Sequence, residues 1–431
     1  MKLGLVSLGC AKNLVDSEMI LSLMKRNDFE LTVEVEEADV IIVNTCGFID
    51  SSKQESINKI IEMGQLNKVL IVCGCLVQRY KEQLEKELPE VDLFISIDEY
   101  PLMAEKIQEV IENKKMNGCL ELKERVLSTE PYTAYLKISD GCNNCCTYCA
   151  IPLIRGPFKS VPLNELIEQA HIIKNQGVKE LVVISQDTTR YGSDLENNGD
   201  IVVLLKELLK IKEFSYIRLL YLYPDEISDE LIELIGSEER LTPYFDIPIQ
   251  HASSKVLQSM NRRGDKEFLV NLFTKIKKKV PNAILRTTLI VGFPGETDED
   301  FEELKEFVKT VKFNHLGTFT YSREEGTKSY SYDNQVPEEI KVQRYNEIMK
   351  IQKHISLMHN KKQVNKIHKG IVLDYHYQSD TYTLRSFWNS PDNIDGEIIF
   401  TSDRSLEEGQ EVEVLITGYD HYNLYGELIE K

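Results

Sequence analysis

The densest feature of the sequence is the stretch GCNNCCTYC at residues 141–149, which holds four closely spaced cysteines. Two kinds of metal site fit this spacing. Cys142, Cys145, Cys146 and Cys149 could bind one tetrahedral zinc ion, or the CxxxCxxC pattern of Cys142, Cys146 and Cys149 could hold a 4Fe–4S cluster with one iron left open. Zinc knuckles need chain between them to fold back around the ion. Because Cys145 and Cys146 are adjacent, the spacing favours the iron–sulfur cluster.

Residues 1–120 alternate short apolar runs with amphipathic ones. This alternation is typical of buried parallel strands joined by helices. The sequence therefore predicts a small doubly wound sheet, whose binding site should lie beyond the carboxyl ends of its strands. The predicted strands are KLGLVSL, DVIIVN, KVLIVCG and VDLFISI.

Three further cysteines come at the ends of three of these strands. Cys10, Cys46 and Cys75 each stand beside a glycine, which lets the backbone approach a bulky ligand closely. Because the carboxyl ends of parallel strands meet at one edge of a sheet, we expect these thiols to share a metal site. The alternative is that each is a buried small apolar residue. We expect core packing for Cys73, deeper on its strand, and a plain surface position for Cys119.

The alternation continues over residues 128–363 with six more predicted strands, which indicates a complete or partial parallel βα-barrel. The chemistry of such a barrel lies at its carboxyl-end face. The stretch GCNNCCTYC follows the first of these strands and Gln186 and Asp187 follow the second, so both should open onto that face. A long predicted helix from Pro337 leads to residues 364–431, where short strands between turn signals predict a small all-β barrel.

The formal net charge is −19 and the pI is near 5.0. Nucleic-acid-binding proteins usually carry a basic face, so this charge argues against a polyanionic partner and for a basic one. The N-terminal MKLGLVSLGC resembles a lipoprotein cleavage site, but Gly4 and Ser7 interrupt an apolar run that is already too short for export. No run is long enough to span a membrane. We therefore expect a cytoplasmic protein whose reduced thiols serve metals or catalysis.

The CxxxCxxC spacing, with the aromatic Tyr148 before its last cysteine, resembles the signature of the radical S-adenosylmethionine (SAM) enzymes. The resemblance extends over the whole chain, because three separated cysteines, a barrel and a C-terminal TRAM-type barrel follow the plan of the methylthiotransferases. Within them the chain resembles the RimO family. The stretches that carry this resemblance are SLGCAKNLVDSE, VNTCGFIDSSKQESI, GCLVQRY, ISQDTTRYG, YLYPDEI, YFDIPIQHAS and GTFTYSREEGT.

This resemblance implies two 4Fe–4S clusters, each held by three cysteines. The SAM-binding cluster would be held by Cys142, Cys146 and Cys149, and the second cluster by Cys10, Cys46 and Cys75. SAM would be both methyl donor and radical source, with Tyr148 against its adenine and Gln186 and Asp187 near its amine. The implied substrate is an aspartate of small-subunit ribosomal protein twelve, modified at its β-carbon. An electron donor such as flavodoxin or ferredoxin is implied as well.

Two other functions stay open at this point: methylthiolation of a tRNA adenosine, as in the sister MiaB family, and a non-catalytic iron–sulfur or zinc protein. Residues 366–431 contain thirteen acidic and five basic residues, a net of 5 − 13 = −8. A barrel that binds RNA phosphates should instead be basic, which makes tRNA an unlikely partner.

We therefore expect the C-terminal barrel to recognise the basic ribosomal protein and to deliver its aspartate to the mouth of the βα-barrel. Asp392, Asp395 and Glu397 are the carboxylates expected to face that partner. We also expect that deleting the chain after Val364 would spare both clusters.

Overall fold

The N-terminal domain is a five-stranded parallel sheet in the order β2-β1-β3-β4-β5. The computed structural model describes residues 1–111, 115–130, 132–196, 199–391 and 394–429. The strands of this sheet are β1 (Lys2–Ser7), β2 (Glu30–Thr32), β3 (Val40–Thr45), β4 (Val69–Gly74) and β5 (Leu93–Ile95).

Four helices alternate with these strands, which confirms the doubly wound architecture expected from the sequence. Each helix packs an apolar face on the sheet. All six residues of β3, the central strand, are therefore buried. The edge strand β2 was not expected, because its polar sequence ELT carries no strand signal. The helices are α1 (Ala11–Arg26), α2 (Asp50–Gly64), α3 (Cys75–Glu87) and α4 (Met103–Val110).

The central domain is a partial barrel of six parallel strands. Hydrogen bonding joins them in two sheets, β6-β9-β10 and β11-β12-β13. A bridge between Ile217 and Leu241 and a hydrogen bond from the Leu222 amide to the Asp246 carbonyl oxygen (2.8 Å) connect the two sheets. The six are β6 (Thr133–Lys137), β9 (Glu180–Ile184), β10 (Tyr216–Leu219), β11 (Tyr244–Asp246), β12 (Ile284–Val291) and β13 (His315–Thr320). A separate antiparallel pair, β7 (Ser139–Asp140) and β8 (Lys159–Ser160), lies between β6 and β9 in the chain.

Helices cover the outside of this barrel and complete the largest apolar core of the chain. Four of the seven begin behind a capping side chain, as Thr297 caps the helix that begins at Asp298. These helices are α5 (Ile151–Arg155), α6 (Leu163–Lys174), α7 (Ile201–Leu208), α8 (Asp229–Ser237), α9 (Ser254–Ser259), α10 (Lys266–Lys279) and α11 (Asp298–Val311).

The long connector is α12 (Glu338–Lys361), as expected from the sequence, and it packs along β13. It leads to a closed five-stranded barrel in the order β14-β15-β16-β18-β17. Its strands are β14 (Ile367–His376), β15 (Thr381–Ser386), β16 (Ile398–Thr401), β17 (Glu411–Tyr419) and β18 (Leu424–Leu428). Within the described ranges, no helix has the length and apolar character needed to cross a bilayer.

The C-terminal barrel shares a buried core with the central domain, which the expectation for deletion after Val364 did not take into account. Its buried Trp388 and Phe400 belong to one contiguous apolar cluster with Tyr244 and Ile284 of the central domain. Tyr244 begins β11 and Ile284 begins β12. The small barrel therefore covers the amino ends of the central strands and completes their core.

The position of Asp395 also differs from the expectation that it would face a partner. Its side chain is buried and accepts a hydrogen bond from the Tyr244 hydroxyl. Burial by itself would raise the pKa of Asp395, but His315, with Nδ1 3.8 Å away, and Arg286, with Nε 3.4 Å away, keep it below its usual value. Glu397 is exposed as expected, and Asp392 lies outside the described residues.

Candidate functional site

Three thiols meet at the carboxyl ends of β1, β3 and β4. Cys10 lies between β1 and α1, Cys46 directly follows β3, and Cys75 begins α3. We refer to them as the N-terminal trio. At Gly9, whose φ is +90°, a Cβ atom would lie 2.9 Å from the Cys46 sulfur. Only glycine lets the loop after β1 pass this close to the thiol.

Burial differs among the members of the N-terminal trio. Cys10 is exposed, whereas Cys46 and Cys75 are buried. Burial raises the pKa of Cys46, and it raises the pKa of Cys75 to about 12. The neighbouring thiols raise both values further, since a second negative charge close by is unfavourable. Cys46 and Cys75 therefore favour their neutral thiol forms, and a bound cationic centre would favour their thiolates.

The other two cysteines of this region lie where the sequence predicted. Cys73 is fully buried in the core of the N-terminal sheet, and Cys119 is exposed. Neither is a member of the trio.

A second set of thiols lies in the loop between β7 and α5. Cys142, Cys146 and Cys149 form what we term the loop trio. At Gly141, with φ +71°, a Cβ atom would strike the carbonyl oxygen of Pro157, so glycine is required where the loop starts. Burial and the neighbouring thiols raise the pKa of Cys142 and Cys149.

Thr147 fixes this loop to the barrel. Its amide donates to the Met260 carbonyl oxygen (3.0 Å) and its hydroxyl to the Ser259 carbonyl oxygen (2.9 Å). Cys145 instead faces solvent with φ +51°, and its carbonyl oxygen accepts a hydrogen bond from Asn261 at 3.0 Å. The backbone therefore turns the Cys145 side chain to the outside of the loop.

Two side chains that the sequence did not single out contact Cys146. The Tyr223 hydroxyl lies 3.7 Å from the Cys146 sulfur, and Arg262 Nη1 lies 3.9 Å from it. Arg262 also lies 4.2 Å from the centre of the Tyr223 ring and donates to the Tyr148 hydroxyl at 3.4 Å. These neighbours place one fixed positive charge beside the loop trio. No local sequence pattern around Arg262 predicts its contact with Cys146.

Gln186 and Asp187, which follow β9, make different contacts. Gln186 donates from Nε2 to Asp140 at 3.2 Å, and its buried Oε1 accepts no hydrogen bond from the described residues. Asp187 is fully buried and accepts hydrogen bonds from Asn144 (2.8 Å) and Thr189 (2.7 Å). Asp187 thus anchors the cysteine loop, while Gln186 keeps an acceptor available at the carboxyl-end face.

The N-terminal trio adjoins the segment that carries the loop trio at the domain interface. Cys75 packs against Ala150 and Ile154, and Ala150 directly follows Cys149. Arg155, at the end of α5, reaches from the central domain to the Cys75 sulfur at 3.5 Å. The interface therefore brings an N-terminal thiol into contact with the segment that carries the loop trio.

A second buried contact joins the same two domains. Glu324, from the loop after β13, lies 3.0 Å from Arg79 and 3.1 Å from Lys53 of the N-terminal domain. Arg79 also donates to the carbonyl oxygen of Gly47, the residue after Cys46, at 2.7 Å. The loop that carries Cys46 is thereby fixed relative to the barrel.

The donor chemistry of both trios fits iron–sulfur clusters. In the part of the chain that the structure describes, no three His, Cys, Asp or Glu side chains meet at one point as ligands of a single metal ion. Each cysteine of a 4Fe–4S cluster binds a different iron, so such a point is not required there. Three thiols and no fourth protein ligand would leave one iron open in each trio.

Family comparisons divide the chain into three parts. The family described as "Uncharacterized protein family UPF0004" matches residues 2–96. The radical SAM superfamily matches residues 136–308, and a TRAM domain matches residues 370–429. The loop trio lies within the second match and the N-terminal trio within the first.

Several relatives that match over nearly their full length share the name "Ribosomal protein uS12 methylthiotransferase RimO". The protein of Acetivibrio thermocellus is 45% identical, over 100% of this chain and 99% of its own. The protein of Clostridium botulinum is 46% identical and that of Aquifex aeolicus 45%, each over 99% of this chain and 97% of its own.

Solved structures of radical SAM enzymes share the fold. The methyltransferase TsrM from Kitasatospora setae matches 74% of this chain and 72% of its own, with a TM-score of 0.56 at 12% identity. The cobalamin-dependent enzyme OxsB matches 80% of this chain and 56% of its own, with a TM-score of 0.51 at 15% identity. At these identities the likeness concerns the fold alone.

Proposed function

This chain belongs to the RimO family of ribosomal protein uS12 methylthiotransferases, and we propose that it adds a methylthio group to the β-carbon of an aspartate in that protein. The observation that carries the proposal is the meeting of two thiol trios at one interface, where Cys75 packs against the residue after Cys149. A reaction that needs both a radical source and a sulfur donor suits two such sites held within reach of each other.

We assign a separate 4Fe–4S cluster to each trio, the loop trio holding the cluster that binds SAM. The radical SAM match by itself implies one such cluster and SAM. When bound, the clusters and SAM supply the radical chemistry, the methyl group and the sulfur, which no side chain can supply. We propose three domains: an N-terminal domain at residues 1–120, the radical SAM barrel at residues 128–363 and the TRAM domain at residues 364–431.

The chain's own residues orient these groups. Gln186 Oε1, buried without a described partner, is the acceptor we assign to the SAM amine. Tyr148 packs against the apolar cluster of Val256, Met260 and Phe293, which gives its ring a fixed backing for contact with adenine. Asp187 acts through Asn144 by fixing the loop rather than by direct contact.

The direct test is anaerobic incubation of the purified chain with SAM, a chemical reductant and either uS12 or tRNA. Mass spectrometry should show that uS12 gains one sulfur and one CH2 on an aspartate, while tRNA is unchanged. A methylthiolated tRNA adenosine with unmodified uS12 would overturn the proposal in favour of the MiaB-type reaction. Flavodoxin or ferredoxin can replace the reductant in the same assay to identify the electron donor.

Cys145 provides a test of the loop assignment. Replacing Cys145 with alanine should leave iron content and SAM cleavage nearly unchanged, because its side chain faces solvent and alanine tolerates the same backbone conformation about as well. The matched control is Cys146→Ala in the same loop, which should abolish SAM cleavage. If Cys145→Ala lost the iron of the loop trio, Cys145 would be a ligand and the CxxxCxxC assignment would be wrong.

An acidic groove on the C-terminal barrel is the docking surface we assign to uS12. It has a volume of about 470 Å³, and its lining includes Glu130, Asp374, Glu397 and Glu408. The barrel packs at the amino ends of the central strands, away from the loop trio. The groove can therefore hold a basic substrate at a distance, but it cannot itself deliver the aspartate to the carboxyl-end face.

Reversing Asp374, Glu397 and Glu408 to lysine should raise KM for uS12 several-fold while kcat stays nearly constant. The three are exposed, so they steer association and their effect should shrink as salt rises. Steady-state kinetics of uS12 modification at low and high ionic strength measures KM, kcat and their dependence on salt. The matched control makes the same charge change at the exposed residues of α3, Glu82, Glu85 and Glu87. Equal loss in both variants would show that only net charge matters.

A further inference from the structure

Arg155, on the helix that follows the loop trio, contacts a thiol of the N-terminal trio. It is the last residue of α5, six positions after Cys149, and its guanidinium extends from the central domain into the N-terminal domain. Nη2 donates to the Cys75 sulfur at 3.5 Å and to Asn13 Oδ1 at 3.2 Å. Nη1 lies 2.5 Å from Asp16 Oδ2. One rigid group therefore holds a thiol, an amide and a carboxylate of the N-terminal domain.

The surrounding charges form a closed and neutral set. Asp16 also binds Lys137 at 2.6 Å, and Asp140 lies 3.2 Å from Lys137 and 3.3 Å from Arg155. Two carboxylates and two cations give −2 + 2 = 0. The side chains of Arg155, Asp16 and Lys137 are 3%, 2% and 6% exposed. The side chain of Asp140 is 35% exposed, so Asp16 and the two cations are shielded from water while Asp140 is in part open to it. The set compensates its own charge without the sulfur.

Stability alone does not account for this arrangement. A buried ion network loses much of its Coulombic gain to desolvation, so well-packed apolar residues would often serve stability equally well. The arginine is also placed so that one of its two terminal nitrogens points at sulfur rather than at a carboxylate. Hydrogen bonds to the cluster sulfurs and nearby charges both help to set the reduction potential of an iron–sulfur cluster.

We propose that Arg155 is a positioning residue for the N-terminal cluster, holding the Cys75 sulfur against the cysteine loop and raising the reduction potential of that cluster. This inference rests on the proposed assignment of a cluster to the N-terminal trio. Reduction adds negative charge, which a fixed guanidinium beside Cys75 stabilises. Loss of that charge should make the cluster harder to reduce.

The measurement is a redox titration followed by electron paramagnetic resonance of the Cys142→Ala, Cys146→Ala, Cys149→Ala variant, whose iron would be confined to the N-terminal trio. Adding Arg155→Gln should shift the midpoint potential to a more negative value. We expect a fall of at least about tenfold in the reduced-to-oxidised ratio, which is about 59 mV for one electron. Arg155→Lys, which keeps the charge but not the fork of donors, should lie between.

Arg125→Gln is the matched control. Arg125 is also buried, and it also crosses this interface, 3.3 Å from Glu18 and donating to the Tyr135 carbonyl oxygen at 2.7 Å. None of its described contacts is to a sulfur atom. Its loss should weaken the interface and leave the potential unchanged.

Three outcomes overturn the inference or its basis in distinguishable ways. An unchanged potential in both Arg155 variants, with iron still bound, would overturn the role of Arg155 alone. An equal shift in Arg125→Gln would make the effect one of interface packing and would overturn it as well. Absence of iron from the triple-cysteine variant before any change at Arg155 would instead overturn the proposed second cluster.

Discussion

Replacing Cys10, Cys46 and Cys75 together with alanine is expected to reduce methylthiolation of uS12 below detection while cleavage of SAM continues. The N-terminal trio lies on its own sheet, and the loop trio is held by the barrel through Thr147. Loss of the N-terminal trio should therefore leave the loop trio intact. Mass spectrometry of uS12 and chromatographic measurement of cleaved SAM on the same reaction separate the two activities.

The control for this triple variant is Cys119→Ala. Cys119 is exposed and lies outside both trios, so its loss should change neither readout. Loss of SAM cleavage in the Cys10, Cys46 and Cys75 variant would show that the two sites do not fold independently. Full methylthiolation by that variant would show that the N-terminal trio is not the source of the transferred sulfur.

Deleting the chain after Val364 is expected to lower the melting temperature of the central domain sharply and to make the remaining protein prone to aggregation. The deletion exposes Tyr244 and Ile284, and each fully buried large apolar side chain contributes about 1.5–3 kcal/mol. It also leaves Arg218 without the Ser386 carbonyl oxygen, to which it donates at 2.8 Å. Several such losses together approach the whole stability of a typical domain, about 5–15 kcal/mol.

Calorimetry or thermal unfolding monitored by circular dichroism measures this effect. Two single substitutions in the same barrel calibrate it: Phe400→Ala, at a buried position, should lower the melting temperature, while Tyr377→Ala, at a position 83% exposed, should not. A truncated chain that unfolded at the temperature of the full-length protein would show that the central domain does not depend on its C-terminal neighbour.

The periodicity of the sequence was enough to predict the architecture. Buried parallel strands such as β3 and β4 are continuous apolar runs, and their pattern does not depend on distant residues. The same pattern places Cys10, Cys46 and Cys75 at one sheet edge, because parallel strands end on the same side. The local spacing likewise favours the loop trio as cluster ligands, and this assignment stays a prediction.

The errors and omissions concern contacts between distant parts of the chain. Asp395 stands in a polar turn that looks exposed, and only the fold brings Tyr244, 151 residues away, to bind it. Arg155 likewise meets Asp16 at a separation of 139 residues and Cys75 at 80. Contacts between residues so far apart in the chain produce no periodic pattern in the sequence. The apolar cluster that the central domain shares with the C-terminal barrel was missed for the same reason.

The central claim is that the two trios hold two separate 4Fe–4S clusters. Its most direct test is the content of iron and acid-labile sulfide per chain after anaerobic reconstitution, with Mössbauer spectra to establish the cluster type. We predict about eight irons in the unaltered chain and about four in each of the two triple-cysteine variants. About four irons in the unaltered chain, or none in either variant, would contradict the account.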